Sequence, residues 1–109
     1  MKKILIIEDD QKIAFGLCVR LKAHGYATWV AEDGIRGMGL ALRILPDLIL
    51  LDISLPAGNG FALADQLNKF PETQLTPVFY IYMDALQRKF AGLRKLFSFR
   101  RAQPSEVAA

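Results

Sequence analysis

Two short apolar runs, each ending directly in acidic residues, constrain the fold of this chain more than any other feature. "KILII" (residues 3–7) leads into "EDD" (8–10), and "LILL" (48–51) leads into Asp52. Continuous apolar runs of this length are typical of strands buried on both faces, which occur in parallel sheets covered by helices. The chain therefore predicts a parallel sheet whose first and third strands end in carboxylates.

Helical patterns separate the apolar runs. Apolar residues recur at helical spacing over 13–21, where His24-Gly25 ends the helix, and again over 35–45, which Pro46 follows. The other predicted elements are a strand over 26–31, a helix over 61–70, a strand over 76–82 and a helix over 84–96. Strands that alternate with helices through short loops indicate an α/β fold, and the length suits a single domain over 1–109.

Charge is unevenly distributed along the chain. The net charge is +3, and residues 84–101 hold six basic residues against one acid, Asp84. Such a cluster could bind nucleic acid or an acidic partner. A solvated helix face with basic residues towards its carboxyl end explains it better, because basic residues are favoured at that end of the helix dipole. We therefore do not expect nucleic acid as a partner.

The sequence carries no sign of export or membrane insertion. Cys18, the single cysteine, can form no internal disulfide, which suits the reducing cytoplasm. The apolar run in "MKKILII" is too short for a signal peptide, and no run approaches the length of a membrane span. We expect a cytoplasmic protein without membrane contact.

The acidic strand ends are the candidate functional site. Ligand sites in open α/β sheets lie beyond the carboxyl ends of the strands. If the first and third strands are neighbours, Glu8, Asp9 and Asp52 converge there. Converging carboxylates are costly unless a cation or a proton lies between them, and oxygen ligands suit Mg²⁺. The alternative is that each acid only caps the following helix or ends a strand.

A family resemblance covers residues 2–81. "KILIIEDD", "PDLILLDISLPAGNGFAL" and "TPVFYIY" occur in this order, and together they resemble the receiver domain of bacterial two-component response regulators. The resemblance implies a flavodoxin-like, doubly wound parallel sheet of five strands in the order 2-1-3-4-5. We do not expect an enzyme with an external substrate, because one histidine, His24, offers no Cys-His or Ser-His-Asp arrangement.

The resemblance also implies roles for individual residues. Asp52 matches the aspartate that a sensor histidine kinase or a phosphotransfer protein phosphorylates. Glu8 and Asp9 match the acid pair that binds Mg²⁺ together with Asp52, and Ser54 matches the residue whose backbone carbonyl completes the metal site. Asp10 falls one place past the pair, where we expect a helix cap.

Beyond residue 81 the chain departs from the family pattern. Tyr82 stands where the family has a small hydroxyl residue that responds to the phosphoryl group. Arg100 stands at the place of the family lysine in one alignment, and Gln103-Pro104 falls there in another. The fifth strand is degenerate and a fifth helix is not recognisable. A sheet face left uncovered beside the first helix would favour a homodimer, because such patches seldom persist in a monomer.

Three functions are therefore open at the level of sequence. The first is a phosphoacceptor receiver that depends on Mg²⁺ and has altered output switching. The second is a receiver-fold interaction module that no longer signals by phosphorylation. The third is an unrelated flavodoxin-like protein that binds a phosphorylated small molecule, but "EDDQKIAFG" (8–16) places acids where such a protein needs a glycine-rich phosphate loop.

Overall fold

Strands and helices alternate along the part of the chain that the computed structural model describes, residues 1–52, 60–81 and 99–101. The elements are β1 (Lys3–Ile7), α1 (Gln11–Ala23), β2 (Ala27–Ala31), α2 (Gly34–Ile44), β3 (Leu48–Asp52), α3 (Gly60–Lys69), β4 (Val78–Ile81) and β5 (Phe99–Arg101). The predicted order of elements is confirmed as far as β4. The helix predicted over 84–96 lies outside the described residues.

The sheet has five strands in the order β2-β1-β3-β4-β5, as predicted. β1 pairs in parallel with both β2 and β3, and β3 pairs in parallel with β4. The sheet is not wholly parallel, because β5 runs antiparallel to β4. The unpaired backbone groups of an edge strand can accept a short extended segment in either direction. The proposed absence of a fifth helix concerns residues outside the described part, and the single domain over 1–109 stays a prediction.

Apolar side chains form one cluster on each face of the sheet. The first cluster, which includes residues of α2 and α3, consists of Leu5, Ile7, Ala31, Ala41, Ile49, Leu51, Leu63, Ala64, Leu67, Val78 and Tyr80. The second, which includes residues of α1, consists of Ile4, Ile6, Ile13, Leu17, Leu50 and Ile81. Successive residues of β1 alternate between the clusters. β1 is therefore covered on both faces, which explains its continuous apolar run. None of the described helices combines the length and the apolar character that a membrane span needs.

The carboxyl end of α1 is closed by a Schellman motif. Gly25 has φ 90°, in the left-handed region. Its N–H donates to the carbonyl of Lys22 at 3.0 Å. The N–H of Tyr26 donates to the carbonyl of Leu21 at 3.1 Å. The predicted helix end at His24-Gly25 is confirmed, and it turns the chain into β2.

The amino end of α1 is capped by Asp10, as predicted. Its Oδ1 accepts hydrogen bonds from the backbone N–H groups of Lys12 at 2.9 Å and Ile13 at 3.1 Å. The side chain thus satisfies two donors that the first helical turn leaves without an intrahelical partner. Because the capping residue directly follows Asp9, the start of α1 is tied to the acidic end of β1.

Loss of this cap should destabilise the fold. We expect Asp10→Ala to lower the free energy of unfolding by about 1 kcal/mol, the usual cost of removing a capping side chain. Asp10→Ser removes the same negative charge but keeps a capping oxygen, so it should retain most of the stability. Urea unfolding in the presence of EDTA is the measurement. Equal losses in the two variants would show that the charge, and not the cap, is what matters.

The amino ends of β1 and β3 are joined through Lys3. Its backbone N–H donates to Asp47 Oδ2 at 2.7 Å, and its carbonyl accepts from the N–H of Asp47 at 2.8 Å. Its Nζ donates to the carbonyl of Ile44, the last residue of α2, at 2.8 Å. A single half-buried lysine thus connects the starts of two neighbouring strands and the end of a helix.

Candidate metal centre

The acidic ends of β1 and β3 lie side by side because these two strands are parallel neighbours. Ile7 pairs with Leu51, so the residues that follow them, Glu8 and Asp52, reach the same edge of the sheet. Carboxylate oxygens of Glu8, Asp9 and Asp52 lie within 4.8 Å of one another. The predicted convergence of these acids is confirmed. We call these three residues the acidic cluster.

The acidic cluster is partly buried. Glu8 is 1% exposed and Asp52 is 0% exposed, whereas Asp9 is exposed to solvent. Two like charges 4 to 5 Å apart repel each other by about 3 to 4 kcal/mol at an effective dielectric constant of about 20. Burial and repulsion both disfavour the ionised forms of Glu8 and Asp52, and a bound cation offsets both effects. The exposed carboxylate of Asp9 marks the side on which a cation can enter.

Glu8 is held in place by the backbone around it. Its N–H donates to the carbonyl of Ala31, the last residue of β2, at 3.0 Å. Its Oε2 accepts a hydrogen bond from the N–H of Asp10 at 3.0 Å. The side chain of Asp10 itself caps α1 and does not belong to the acidic cluster. The orientation of the Glu8 carboxylate is therefore coupled to the start of α1.

The donor set of the acidic cluster fits a small, hard divalent cation. Mg²⁺ prefers oxygen ligands at 2.0 to 2.1 Å, so two oxygens on opposite sides of the ion lie about 4.2 Å apart. The three carboxylate oxygens lie within 4.8 Å of one another, so a single ion between them can interact with all three, directly or through its waters. Mg²⁺ also keeps several of its waters, which suits a site with one solvent-facing side.

The remaining predicted site residues are not tested by this geometry. Ser54 and Tyr82 lie outside the described residues, as does Gln103-Pro104. The backbone of Arg100 pairs with Tyr80, one residue before Ile81, which pairs with Asp52. That Arg100 takes the place of the family lysine stays a prediction.

One residue near the acidic cluster was missed by sequence reasoning. Gly37 of α2 is buried against Ile7, the residue that precedes Glu8. Glycine lowers helix propensity, so from sequence alone it weakens the helical pattern. The available signal was its position on the apolar face of the helix, four residues before the buried Ala41.

Comparison with known proteins places this geometry in a family. Residues 4–91 match the model of the response regulator receiver domain. The DNA-binding dual master transcriptional regulator RpaA of Synechocystis is 38% identical over 93 residues, which are 84% of this chain and 39% of RpaA. Protein PilH of Pseudomonas aeruginosa is 38% identical over 81 residues, which are 74% of this chain and 67% of PilH. The chain thus spans well under half the length of RpaA.

Solved structures agree in fold. The response regulator TrrA of Thermotoga maritima, solved in complex with Mg²⁺–BeF, is 25% identical with a TM-score of 0.70, covering 84% of this chain and 77% of TrrA. The non-phosphorylated receiver domain of HemR from Leptospira biflexa is 30% identical with a TM-score of 0.68, covering 82% and 72% respectively. The flavodoxin-like fold and the resemblance seen in the sequence are confirmed. With its acids at the ends of β1 and β3 and the family match over most of its length, the chain belongs to the response regulator receiver domain family.

Proposed function

We propose that this receiver domain accepts a phosphoryl group on Asp52, in a reaction that requires Mg²⁺, from a sensor histidine kinase or a phosphotransfer protein. The observation that carries the proposal is the acidic cluster, in which Glu8 and Asp9 from the end of β1 meet Asp52 at the end of β3. Membership of the receiver family supports the assignment of Asp52 as the acceptor.

The proposed chemistry is an in-line displacement at phosphorus. A carboxylate oxygen of Asp52 attacks the phosphorus atom, and an O–P bond forms as the N–P bond of the phosphohistidine breaks. The donor nitrogen keeps the electron pair and takes up a proton. Mg²⁺, when bound, neutralises charge on the transferring phosphoryl oxygens. Glu8 and Asp9 would hold the ion, with the backbone carbonyl of Ser54 as a further ligand.

We also propose that the domain has a signalling role without turnover on an external substrate. We propose a cytoplasmic location and no contact of this domain with nucleic acid. Tyr82 and Arg100 would alter the response to phosphorylation.

Self-association through the sheet face beside α1 stays a prediction. Ile4 and Leu50, on that face, are each only 3% exposed in the single chain.

Phosphorylation from a small donor tests the proposal directly. After incubation with phosphoramidate or acetyl phosphate and Mg²⁺, we expect the intact mass to increase by one phosphoryl group, and no increase in EDTA. The reaction should be slow, because neither alignment places a lysine at the phosphoryl group. Wild-type protein that stays unmodified after hours with Mg²⁺ would favour the interaction module instead.

A further inference from the structure

Gly37 lies where α2 makes its closest approach to β1. A Cβ atom added to Gly37 would lie 2.7 Å from Ile7 Cδ1, 3.1 Å from Cγ1 and 3.4 Å from Cγ2. Real Cβ atoms essentially never come within 3.0 Å of a heavy atom of another residue, so a side chain at position 37 would force a neighbour to move. Gly39, in the same helix, has no such neighbour within 4 Å of its Cβ position.

Ile7 has little room to give way. It is 0% exposed, and it belongs to the apolar cluster between the sheet and α2. Its backbone is paired on both sides, with Ala31 of β2 and with Leu51 of β3. Because protein interiors are close-packed, a methyl group at position 37 would have to lift α2 from the sheet or displace Ile7.

A displacement of Ile7 reaches the acidic cluster through the chain itself. Glu8 and Asp9 follow Ile7 directly, and Leu51, its partner in β3, directly precedes Asp52. Mg²⁺ demands near-ideal octahedral geometry, so it responds to shifts of a few tenths of an ångström among its ligands. The spacing of the three carboxylates therefore depends on how closely α2 packs against Ile7.

We propose that Gly37 is a positioning residue for the acidic cluster. Its missing side chain lets α2 pack directly on Ile7, and this contact sets the position of Glu8 and Asp9 relative to Asp52. The inference rests on the proposed function, because it takes Mg²⁺ as the ligand of the cluster.

Calorimetric titration with Mg²⁺ alone tests the positioning role, with urea unfolding in EDTA as a parallel measurement of stability. We expect Gly37→Ala to raise the Kd for Mg²⁺ about tenfold, a usual effect of disturbing residues behind metal ligands. Gly39→Ala adds the same methyl group to the same helix without a clash, so its Kd should stay within about twofold of the wild type.

A compensating substitution separates positioning from general damage. Ile7→Val removes Cδ1, the atom that the new methyl group would meet at 2.7 Å. Cγ1 remains 3.1 Å from the new methyl group, so we expect the double variant Gly37→Ala/Ile7→Val to recover most of the affinity, to within about threefold of the wild-type Kd. The double variant also decides the matter if Gly37→Ala alone does not fold, since a Kd that stays about tenfold weaker would overturn the proposal.

The outcomes distinguish this inference from the proposed function. Lower stability of Gly37→Ala with an unchanged Kd would show a purely packing role and overturn the positioning role alone. An unchanged stability and Kd would do the same. Absence of Mg²⁺ binding by the wild type would count against the proposed function itself.

Discussion

Asp52→Asn should abolish phosphorylation of the domain, whereas the wild type takes up one phosphoryl group from phosphoramidate in the presence of Mg²⁺. An amide lacks the ionised oxygen that attacks phosphorus, although it has nearly the same shape as the carboxylate. Asp52 is fully buried, so a change of side-chain size there would also disturb packing, and the isosteric substitution avoids this. The measurement is a time course of intact mass.

The matched control is Asp65→Asn, which replaces an exposed acid on α3, away from the acidic cluster. This variant should be phosphorylated at the wild-type rate. Peptide mapping of the wild-type product should place the phosphoryl group on the peptide that contains Asp52. Labelling of Asp52→Asn at the wild-type rate would show that another residue is the acceptor.

Mg²⁺ should stabilise the wild-type domain against unfolding, and Asp9→Ala should remove this effect. An ion that binds only the folded state adds about 2.7 kcal/mol to the free energy of unfolding at one hundred times its Kd. Asp9 supplies the exposed carboxylate of the acidic cluster, so without it Glu8 and Asp52 would have to bind the ion alone. Thermal unfolding in Mg²⁺ and in EDTA gives the comparison.

Unfolding in EDTA distinguishes lost binding from a damaged fold. In EDTA, Asp9→Ala should be at least as stable as the wild type, because the substitution removes one of three repelling charges. Asp65→Ala should show the full stabilisation by Mg²⁺. If Asp9→Ala were stabilised as strongly as the wild type, the ion would bind somewhere other than the acidic cluster.

The sequence predicted the centre of the fold and the acidic cluster because both follow from local patterns. The apolar runs before Glu8 and Asp52 identify the two central strands, and parallel pairing brings their ends together. The cap at Asp10 and the stop at Gly25 are also local, since each depends on residues within one helical turn.

The features that sequence analysis missed depend on contacts between distant segments. Gly37 and Ile7 are thirty positions apart, and nothing near either residue indicates that they touch. The direction of β5 was also not predictable from local sequence, because a strand can pair with the free edge of β4 in either orientation. Pairings of this kind depend on tertiary packing, which no local periodicity encodes.

The position of Asp52 relative to Glu8 also depends on Lys3, at the opposite end of β1. A slip of one residue in the pairing of β1 with β3 would shift Asp52 by about 3.3 Å relative to Glu8 along the strand direction. It would also turn Ile49 and Leu51 to the opposite face of the sheet. The hydrogen bonds between Lys3 and Asp47 are lost in any such slipped pairing. The alignment of the carboxylates is therefore secured by a contact roughly 16 Å away, the length of five strand residues.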